Sequence, residues 1–438
     1  MIKNLKLFKV FSRNQLLSGS IVMVVGSNLF NVIQFIYHFI TARSFEKVHG
    51  EVLGKIYYGD FAAILSTLGI ISIIQVSLGL AVIKFIAVKS KKDSSNFARW
   101  INFWSIWLGV FITILTLLLT PLISSFLNLS QPNSFYIFSL MLLVFIVLTS
   151  QRSILQGILR FDLYVLTLLS EGVFKIIFTI LLIFAGMAVF GAVIGFSMGI
   201  IFSLAVSRIS LSEILRGPRG KMPNVWPLIR YCFPVLIQGL ALTSMFSSDL
   251  LLVKHFFPAD EAGIYASLAV LGRVVLFSST PVIHTMFPLV ARKFSKGEPL
   301  RNIFYLSILL VFGIGGTVVL LYLFFPQLPI LVLYGDSYLK GAPLLWLYAI
   351  FMLFTSIAML ITQFYLSINR TFPVVFFAAA AISQSILIWF IHPSIEVVIK
   401  LSILCAALLV FSLFVYFVYL NAKNEKASFS NSSGIQAG

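Results

Sequence analysis

Long apolar stretches recur along the whole chain, and they constrain its fold more than any other feature. Each is about 20 residues long, the length that an α-helix needs to cross the hydrocarbon core of a membrane. Charged residues make up only 10% of the chain, whereas soluble domains carry about 25%. The sequence therefore predicts an all-α polytopic membrane protein, and it excludes a soluble enzyme with a single anchoring helix.

Hydropathy predicts twelve spans in two sets of six, separated by the longest inner loop. The first set comprises residues 19–41, 61–88, 101–120, 135–155, 163–184 and 188–207. The second set comprises residues 231–256, 263–290, 303–325, 344–368, 372–391 and 395–419. The fifth and sixth spans are separated only by the four residues AGMA.

The distribution of lysine and arginine orients these spans. With a cytoplasmic N-terminus, every inner segment is net positive and no outer segment is, as the positive-inside rule requires. Arg152, in the last turn of the fourth span, is counted with Arg160 and Asp162 in an inner segment. Both termini are therefore predicted to be cytoplasmic. Because the cations are spread over separate loops, they favour a topology signal and contact with anionic lipids over a nucleic-acid site.

Three echoes, in the same order in both halves, predict an internal duplication. The basic loops at 90–103 and 295–305 form one of them, and QGILRFDLY at 156–164 and LSINRTFPV at 366–374 form another. YYGDFAAILSTLG at residues 57–69 resembles EAGIYASLAVLG at 261–272, which aligns Gly59 with Gly263. Two parallel copies of six spans are expected to form lobes related by a pseudo-two-fold axis along the membrane normal, with a cavity between them. The predicted organisation is an amphipathic cytoplasmic N-terminus (1–18), a first lobe (19–207), a cytoplasmic loop (208–230), a second lobe (231–419) and a disordered cytoplasmic tail (420–438).

Small and sulfur-containing residues within the spans indicate packing rather than chemistry. Gly191, Gly195 and Gly199 lie on one face of the sixth span and predict close helix packing. Cys232 and Cys405 both lie within spans, so neither a disulfide framework nor a metal-ligand motif is present in the sequence. We expect no metal, no cofactor and no catalytic residue.

Charged residues inside the spans are the main candidates for function, since charge at membrane depth is costly. Asp249 on the seventh span lies ~12 Å, and Arg273 on the eighth ~15 Å, below the outer boundary at 1.5 Å per residue. Because a short outer loop joins these spans, the two groups are expected to lie at similar depth and to pair. Asp249 is alternatively an ion-coupling carboxylate.

The other charged residues within spans have a structural alternative. Glu171 and Lys175 are spaced i, i+4 and are expected to pair on one helix face. Lys84, Lys254 and Lys400 lie near span ends, where lysine side chains reach the membrane surface. Cations outnumber acids within the spans, and surplus positive charge at this depth favours an anionic ligand. A diphosphate of a lipid-linked sugar fits that requirement.

Several segments resemble the bacterial oligosaccharide and polysaccharide flippases, in the superfamily that also contains multidrug extruders and lipid II flippases. The resemblance is carried by SDLLLVKHFFPADEAGIYASLAVLGR at residues 248–273, with its Asp, its Gly-x-Tyr and its Arg, by Pro288 before a basic loop, and by QGILRFDLY at 156–164 ahead of Glu171. The resemblance implies alternating access to a cationic central cavity that takes a polyprenyl diphosphate-linked oligosaccharide across the bacterial cytoplasmic membrane. It implies membrane lipids and polysaccharide assembly enzymes as partners.

The resemblance gives the candidate site residues their expected roles. Arg273, Lys84, Lys254 and Lys175 are the expected substrate contacts, and Asp249 and Glu171 are expected to couple transport or to hold a cation. A cation-coupled drug exporter of the same fold is the first alternative, although more acids than cations would be expected in its cavity. A membrane glycosyltransferase or glycan polymerase is the second, although the sequence has no paired carboxylates for such chemistry.

Overall fold

The computed structural model describes residues 15–87, 91–216, 220–221, 226–296, 298–368 and 370–433. These residues form α-helices, a short 3₁₀ helix at Asp336–Gly341 and no strand. The helices are α1 (Gln15–His49), α2 (Glu51–Ala87), α3 (Lys91–Phe126), α4 (Asn133–Gly157), α5 (Phe161–Phe184), α6 (Ala188–Ser210), α7 (Ser212–Leu215), α8 (Trp226–Phe256), α9 (Ala259–Ser295), α10 (Arg301–Phe324), α11 (Gln327–Leu333), α12 (Ala342–Ser367), α13 (Pro373–Phe390) and α14 (Ile395–Ser433).

Within the described residues, each predicted span lies on one long helix to within one residue at either end, and most of the helices extend beyond the apolar stretch. Within the described ranges, ten helices are long and apolar enough to cross a membrane. They lie on α2–α6, α9, α10 and α12–α14. The protein is therefore a multi-pass membrane protein built from α-helices.

Large apolar side chains on the outside of these helices indicate a lipid environment. Leu118 on α3 is 74% exposed, and Phe390 on α13 is 76% exposed. Water-facing helices present polar side chains on their outer face, whereas a bilayer accepts apolar ones.

The two helices α5 and α6 form a tight antiparallel pair. They are joined by three residues, and Gly186 in this turn has a φ of +84°, a backbone region that favours glycine. A methyl group on Gly195 would lie 2.4 Å from the main-chain nitrogen of Thr179 on α5, and one on Gly199 would lie 2.7 Å from the carbonyl oxygen of Glu171. The predicted packing role of this glycine face is confirmed.

The chain forms two compact units. The first comprises Met1–Gly239, Phe257–Ala266 and Leu333–Tyr338. The second comprises Leu240–Phe256, Ser267–Val332 and Leu339–Gly438. The division between these units differs from that between the predicted lobes, which meet at the loop 208–230: the first unit continues into α8 and includes two short segments from the second half of the chain.

Glycine contacts explain why residues 257–266 belong to the first unit. A methyl group on Gly263 would lie 2.1 Å from the carbonyl oxygen of Lys55, and one on Gly59 would lie 3.0 Å from the Cα atom of Gly263. The start of α9 therefore lies directly against α2. The two glycines that the sequence aligns between its halves are in mutual contact.

A cluster of buried tyrosines holds the other short segment of the first unit. The hydroxyl groups of Tyr58 and Tyr334 lie 2.9 Å apart, and the Tyr334 and Tyr338 rings are 5.3 Å apart. All three side chains are fully buried. Residues 333–338 are thus fixed to α2 by hydrogen bonding and aromatic packing.

Aromatic and small polar contacts join the helices of the second unit. The Phe304 ring on α10 lies 4.6 Å from Phe364 on α12 and 4.4 Å from Phe417 on α14. Gln384 donates from Nε2 to Oγ of Ser402 at 2.9 Å, which joins α13 to α14. Buried amides and hydroxyls joined in this way are a common means of holding membrane helices together.

The polar loop after α7 is hydrogen-bonded to α3. The side chain of Asn96 on α3 accepts a hydrogen bond from Gly220 N and donates one to Lys221 O, which fastens the loop to α3.

The last helix continues to Ser433, well into the segment 420–438 that was expected to be disordered. The run NAKNEKA is rich in residues with high helix propensity, which accounts for the continuation.

Candidate functional site

A buried ion pair joins α4 to α5 in the first unit. Arg152 Nη2 lies 2.8 Å from Glu171 Oε2, and the two residues are 9% and 5% exposed. Arg152 also donates from Nε to Oγ1 of Thr167 at 3.0 Å, and from Nη2 to the Thr167 carbonyl and to Ser203, each at 2.9 Å. Three helices therefore fix one guanidinium group, since Ser203 lies on α6.

This geometry corrects two expectations from the sequence. Arg152 is a buried residue inside α4 rather than a loop cation, and it takes the place of Lys175 as the partner of Glu171. The guanidinium approaches from the neighbouring helix, where Thr167 and Ser203 orient it. The planar guanidinium has five donors in fixed directions, which suits several acceptors on different helices, whereas an ammonium has only three donors.

Lys175 is fully buried and lies among aromatic rings. Its Nζ atom is 4.6 Å from the centre of the Tyr37 ring, 5.4 Å from Phe196 and 5.5 Å from Phe30. No described residue accepts a hydrogen bond from this nitrogen. Attraction to ring faces gives about 2 kcal/mol or more when the cation is desolvated, which partly offsets the cost of burial.

A cavity of about 290 Å³ adjoins the Arg152–Glu171 pair within the first unit. It lies among α2, α4 and α5. Its polar lining is Ser72, Thr149, Arg152, Ser153, Gln156 and Tyr164, and its apolar lining is Gly79, Ile83, Phe145 and Leu168. The cavity therefore combines one cationic group with neutral polar groups and an apolar wall.

In the second unit, Asp249 is fully buried and accepts a hydrogen bond from the hydroxyl of Tyr348 at 2.7 Å. Close packing brings this phenol to α9, because a methyl group on Gly272 would lie 2.2 Å from the Tyr348 ring. Hydrogen bonds to a carboxylate are stronger than those between neutral groups. Tyr348 therefore supplies part of the stabilisation that was expected from Arg273.

Arg273 has partners of its own. It donates from Nη2 to the carbonyl oxygen of Phe246 at 2.9 Å, and its guanidinium lies 5.4 Å from the Phe246 ring. None of the ion pairs among the described residues joins it to Asp249, and its buried Nε has no hydrogen-bond partner there. The expected pairing is thus replaced by two separate interactions, with a phenol and with a main-chain carbonyl.

The remaining candidate lysines differ in their surroundings. Lys254 is only 1% exposed, so its side chain does not extend to the surface as an interface lysine would. Lys400 is more than half exposed and forms an i, i+4 pair with Glu396 at 2.6 Å, in agreement with its structural interpretation. Lys84 lies on α2, but its side chain is outside the described residues.

The turn between α4 and α5 carries an exposed ion pair close to the buried one. Arg160 Nε lies 3.1 Å from Asp162 Oδ1, with both side chains more than half exposed. The hydrogen bond to Asp162 raises the pKa of the Arg160 guanidinium. Water screens this pair, so it is a contact of low energy.

Arg152 is not among the site residues predicted from the sequence, because a cation near the end of a predicted span resembles a loop residue. A signal was available in the run TSQRS at residues 149–153, which is polar although it lies within an apolar span. The neighbouring Gln151 is 1% exposed and donates to Asn102 on α3 at 2.9 Å. Consecutive polar residues inside a membrane helix therefore indicate that their side chains have buried hydrogen-bond partners on neighbouring helices.

Comparison with known proteins gives a family and a fold. A family model described as polysaccharide biosynthesis protein matches residues 16–294. An uncharacterized membrane protein of Methanocaldococcus jannaschii is 22% identical over 367 residues, which cover 78% of this chain and 83% of that protein.

Three solved structures share the fold at low sequence identity. An inward-facing multidrug resistance MATE family transporter of the MOP superfamily has a TM-score of 0.79 at 13% identity, over 91% of this chain and 96% of that one. Lipid II flippase MurJ in its inward closed conformation has a TM-score of 0.69 at 16% identity, over 91% and 87%. A MOP superfamily transporter from Pyrococcus furiosus, described as having a binding pocket of reversed polarity, has a TM-score of 0.58 at 16% identity, over 92% and 95%.

Proposed function

Because the chain belongs to the polysaccharide biosynthesis protein family, we propose that it flips a polyprenyl diphosphate-linked oligosaccharide across the cytoplasmic membrane of a bacterium. The transported molecule would supply the assembly of a surface polysaccharide. The protein would act by alternating access through a cationic central cavity, with lobes at residues 19–207 and 231–419. It would be a transporter and not an enzyme, because flipping breaks no covalent bond.

The surroundings of Arg273 are the main observation that supports this proposal. Its guanidinium lies fourteen residues into α9 and is only partly buried. The atoms that it contacts are a neutral carbonyl oxygen and an aromatic ring, and its Nε has no described partner. An arginine at such depth is rarely tolerated without a function, and its remaining donors match the oxygens of a diphosphate.

The role of the membrane helices in flipping is to provide a polar path for the sugars. Moving an oligosaccharide through hydrocarbon would strip many hydroxyl groups of their hydrogen bonds, at a cost of a few kcal/mol for each. The prenyl chain would stay in the lipid while the diphosphate and the sugars follow the path. Lys84, Lys175 and Lys254 would supply further positive charge along it.

The two buried acids receive different roles. Asp249 would hold α8 and α12 together through Tyr348, and its carboxylate would couple flipping to a gradient of H⁺ or Na⁺ or to the membrane potential. Glu171 would orient Arg152, since the two form a buried ion pair. We place both chain ends in the cytoplasm and name polysaccharide assembly enzymes as the expected partner proteins.

A multidrug exporter of the same fold is the second candidate, favoured by the TM-score of 0.79 to a multidrug resistance transporter. A site for organic cations would need an acid with unused charge. Glu171 is instead paired with a guanidinium, and Asp249 is fully buried, whereas Arg273 is partly exposed. The balance of charge therefore favours an anionic substrate.

The test uses purified protein in liposomes that contain a fluorescent polyprenyl diphosphate oligosaccharide, with flipping measured by access of a membrane-impermeant quencher. We expect Arg273→Ala to slow flipping at least tenfold. The matched control is Arg301→Ala, because Arg301 also lies near an aromatic ring, Tyr305, but at an exposed helix end. Unchanged flipping by a correctly inserted Arg273→Ala protein would remove Arg273 from the mechanism, and export of ethidium by the wild type would favour the second candidate.

A further inference from the structure

The cavity beside Arg152 lies in the first unit and does not include Arg273, the residue on which the proposed function rests. Its volume of about 290 Å³ is close to the lower end of the range that holds small ligands, about 300–1,000 Å³. All of its lining residues lie on α2, α4 and α5. The cavity therefore belongs to one unit and does not depend on the second.

One edge of the Arg152 guanidinium remains for a ligand. Nε and Nη2 are taken by Thr167, Ser203 and Glu171, whereas Nη1 has no hydrogen-bond partner among the described residues. Because Arg152 is 9% exposed and lines the cavity, this edge is held in a fixed direction. A fixed guanidinium edge is suited to the oxygens of a phosphate or carboxylate group.

The charge on the cavity wall also favours an anion. Arg152 is the one charged residue among the described residues that line the cavity. Its partner Glu171 is not among these lining residues. An anion in the cavity would therefore meet a guanidinium with no carboxylate beside it in the wall, where a low dielectric strengthens the attraction.

The rest of the cavity lining indicates whether the ligand is a free anion or an amphiphile. The hydroxyls of Ser72, Ser153 and Thr149 donate to carbonyls of their own helices. Gln156 and Tyr164 lie within hydrogen-bonding reach of each other, and their remaining hydrogens are the neutral donors for a ligand. Ile83, Phe145 and Leu168 provide an apolar wall. A strongly hydrated inorganic anion gains nothing from this wall, whereas an acyl or isoprenoid chain does.

We propose that this cavity binds the phosphate end of an isoprenoid phosphate or diphosphate, with Nη1 of Arg152 on the phosphate and the chain along the apolar wall. The site is a second anion site, separate from Arg273, that holds the lipid carrier by its phosphate. The isoprenoid identity of the ligand rests on the proposed function, while the existence of a phosphate site rests on the cavity alone.

The experiment measures equilibrium binding of radiolabelled farnesyl diphosphate to the full-length protein in phosphatidylcholine nanodiscs. We expect saturable binding that falls at least tenfold in Arg152→Gln and in Ser72→Leu. The second variant fills the cavity from α2 and leaves the ion pair intact, so it tests the site even if the first variant fails to fold. Arg160→Gln is the matched control, because Arg160 lies near Arg152 in the chain but forms an exposed pair, and its binding should equal that of the wild type.

Wild-type affinity in Ser72→Leu, or equally tight binding of uncharged farnesol, would overturn the proposal. Displacement by inorganic pyrophosphate at equal concentration would overturn the amphiphilic ligand class. Displacement by phosphatidylglycerol at equal mole fraction would support the phosphate site and overturn its isoprenoid occupant.

The same binding assay separates this site from the proposed function. Arg273→Ala should lose flipping and keep farnesyl diphosphate binding. A wild-type protein that binds the probe at this cavity and flips no oligosaccharide would contradict the proposed function and leave the cavity site standing. Loss of binding in Arg273→Ala would contradict the separation of the two sites.

Discussion

The two units treat buried charge in different ways. In the first, Arg152 and Glu171 neutralise each other within a set of hydroxyl and carbonyl partners. In the second, the acid Asp249 is bonded to a phenol and the cation Arg273 to a main-chain carbonyl. A direct ion pair stabilises its own helices and leaves Arg152 only its Nη1 edge for a ligand, whereas an arginine held by neutral groups keeps most of its charge for one. The first unit therefore contains the stronger structural pair, and the second contains the better exposed cation.

The largest expected effect is the loss of the buried ion pair in the first unit. Arg152→Met leaves Glu171 as a buried, uncompensated charge, and breaking such a pair costs about 3–5 kcal/mol of unfolding free energy. Unfolding in mixed micelles with increasing SDS would measure this loss. The double variant Arg152→Met with Glu171→Gln should recover at least half of it, and a double variant as unstable as the single one would show that packing, not charge, sets the cost.

A smaller effect is expected when the acid of the second unit loses its phenol. Tyr348→Phe removes a hydrogen bond to Asp249, and hydrogen bonds to charged groups contribute about 1.5–3 kcal/mol. The matched control is Tyr322→Phe, whose hydroxyl donates to a neutral carbonyl, that of Leu271, at 3.1 Å and should contribute about 0.5–1.5 kcal/mol. Equal losses in the two variants would remove the distinction between a charged and a neutral acceptor.

Removal of the buried ammonium group of Lys175 should raise the free energy of unfolding, whereas the two changes above lower it. Lys175→Met keeps the length of the side chain and deletes a charge that has no hydrogen-bond acceptor among the described residues. We expect the unfolding free energy to rise by about 1 kcal/mol, since removal of a desolvated charge outweighs the lost attraction to the rings. A fall of similar size, measured by the same SDS titration, would show that the aromatic contacts are the stronger term.

The smallest effect is expected at the exposed pair of the second unit. Glu396→Gln breaks the contact with Lys400, and i, i+4 pairs on exposed helix surfaces contribute about 0.3–0.5 kcal/mol. The loss should decrease further in 0.5 M salt, because salt screens exposed charges. A salt-independent loss above 1 kcal/mol would place this pair in the same class as the buried one.

The positions of the helices could be predicted from the sequence, whereas the partners of the charges could not. Apolar windows and the AGMA turn are local signals, and the resulting helices α5 and α6 agree with them to within three residues. The partner of Glu171 depends on which helix lies beside α5, and that is set by tertiary packing. The i, i+4 spacing of Lys175 was a local argument for a pair, and Arg152 on another helix offered a better geometry.

The boundary of the first unit shows the same limit. Hydropathy placed it in the loop at 208–230, where polar residues are concentrated. The observed boundary depends on the contact of Gly263 with Lys55, which lie far apart in sequence. The alignment of Gly59 with Gly263 as repeat positions was a usable signal, although it did not predict that the two would touch.

Both cysteines of the chain, Cys232 and Cys405, are buried, and this makes the native protein a convenient background for thiol labelling. A single cysteine introduced at Glu213, which is exposed on the short helix α7 outside the predicted spans, should react with a maleimide probe while the native thiols stay largely unmodified. Fluorophores or spin labels could then be attached at chosen exposed positions without first replacing residues of the core. Distances between two such labels would test the alternating access that is proposed above.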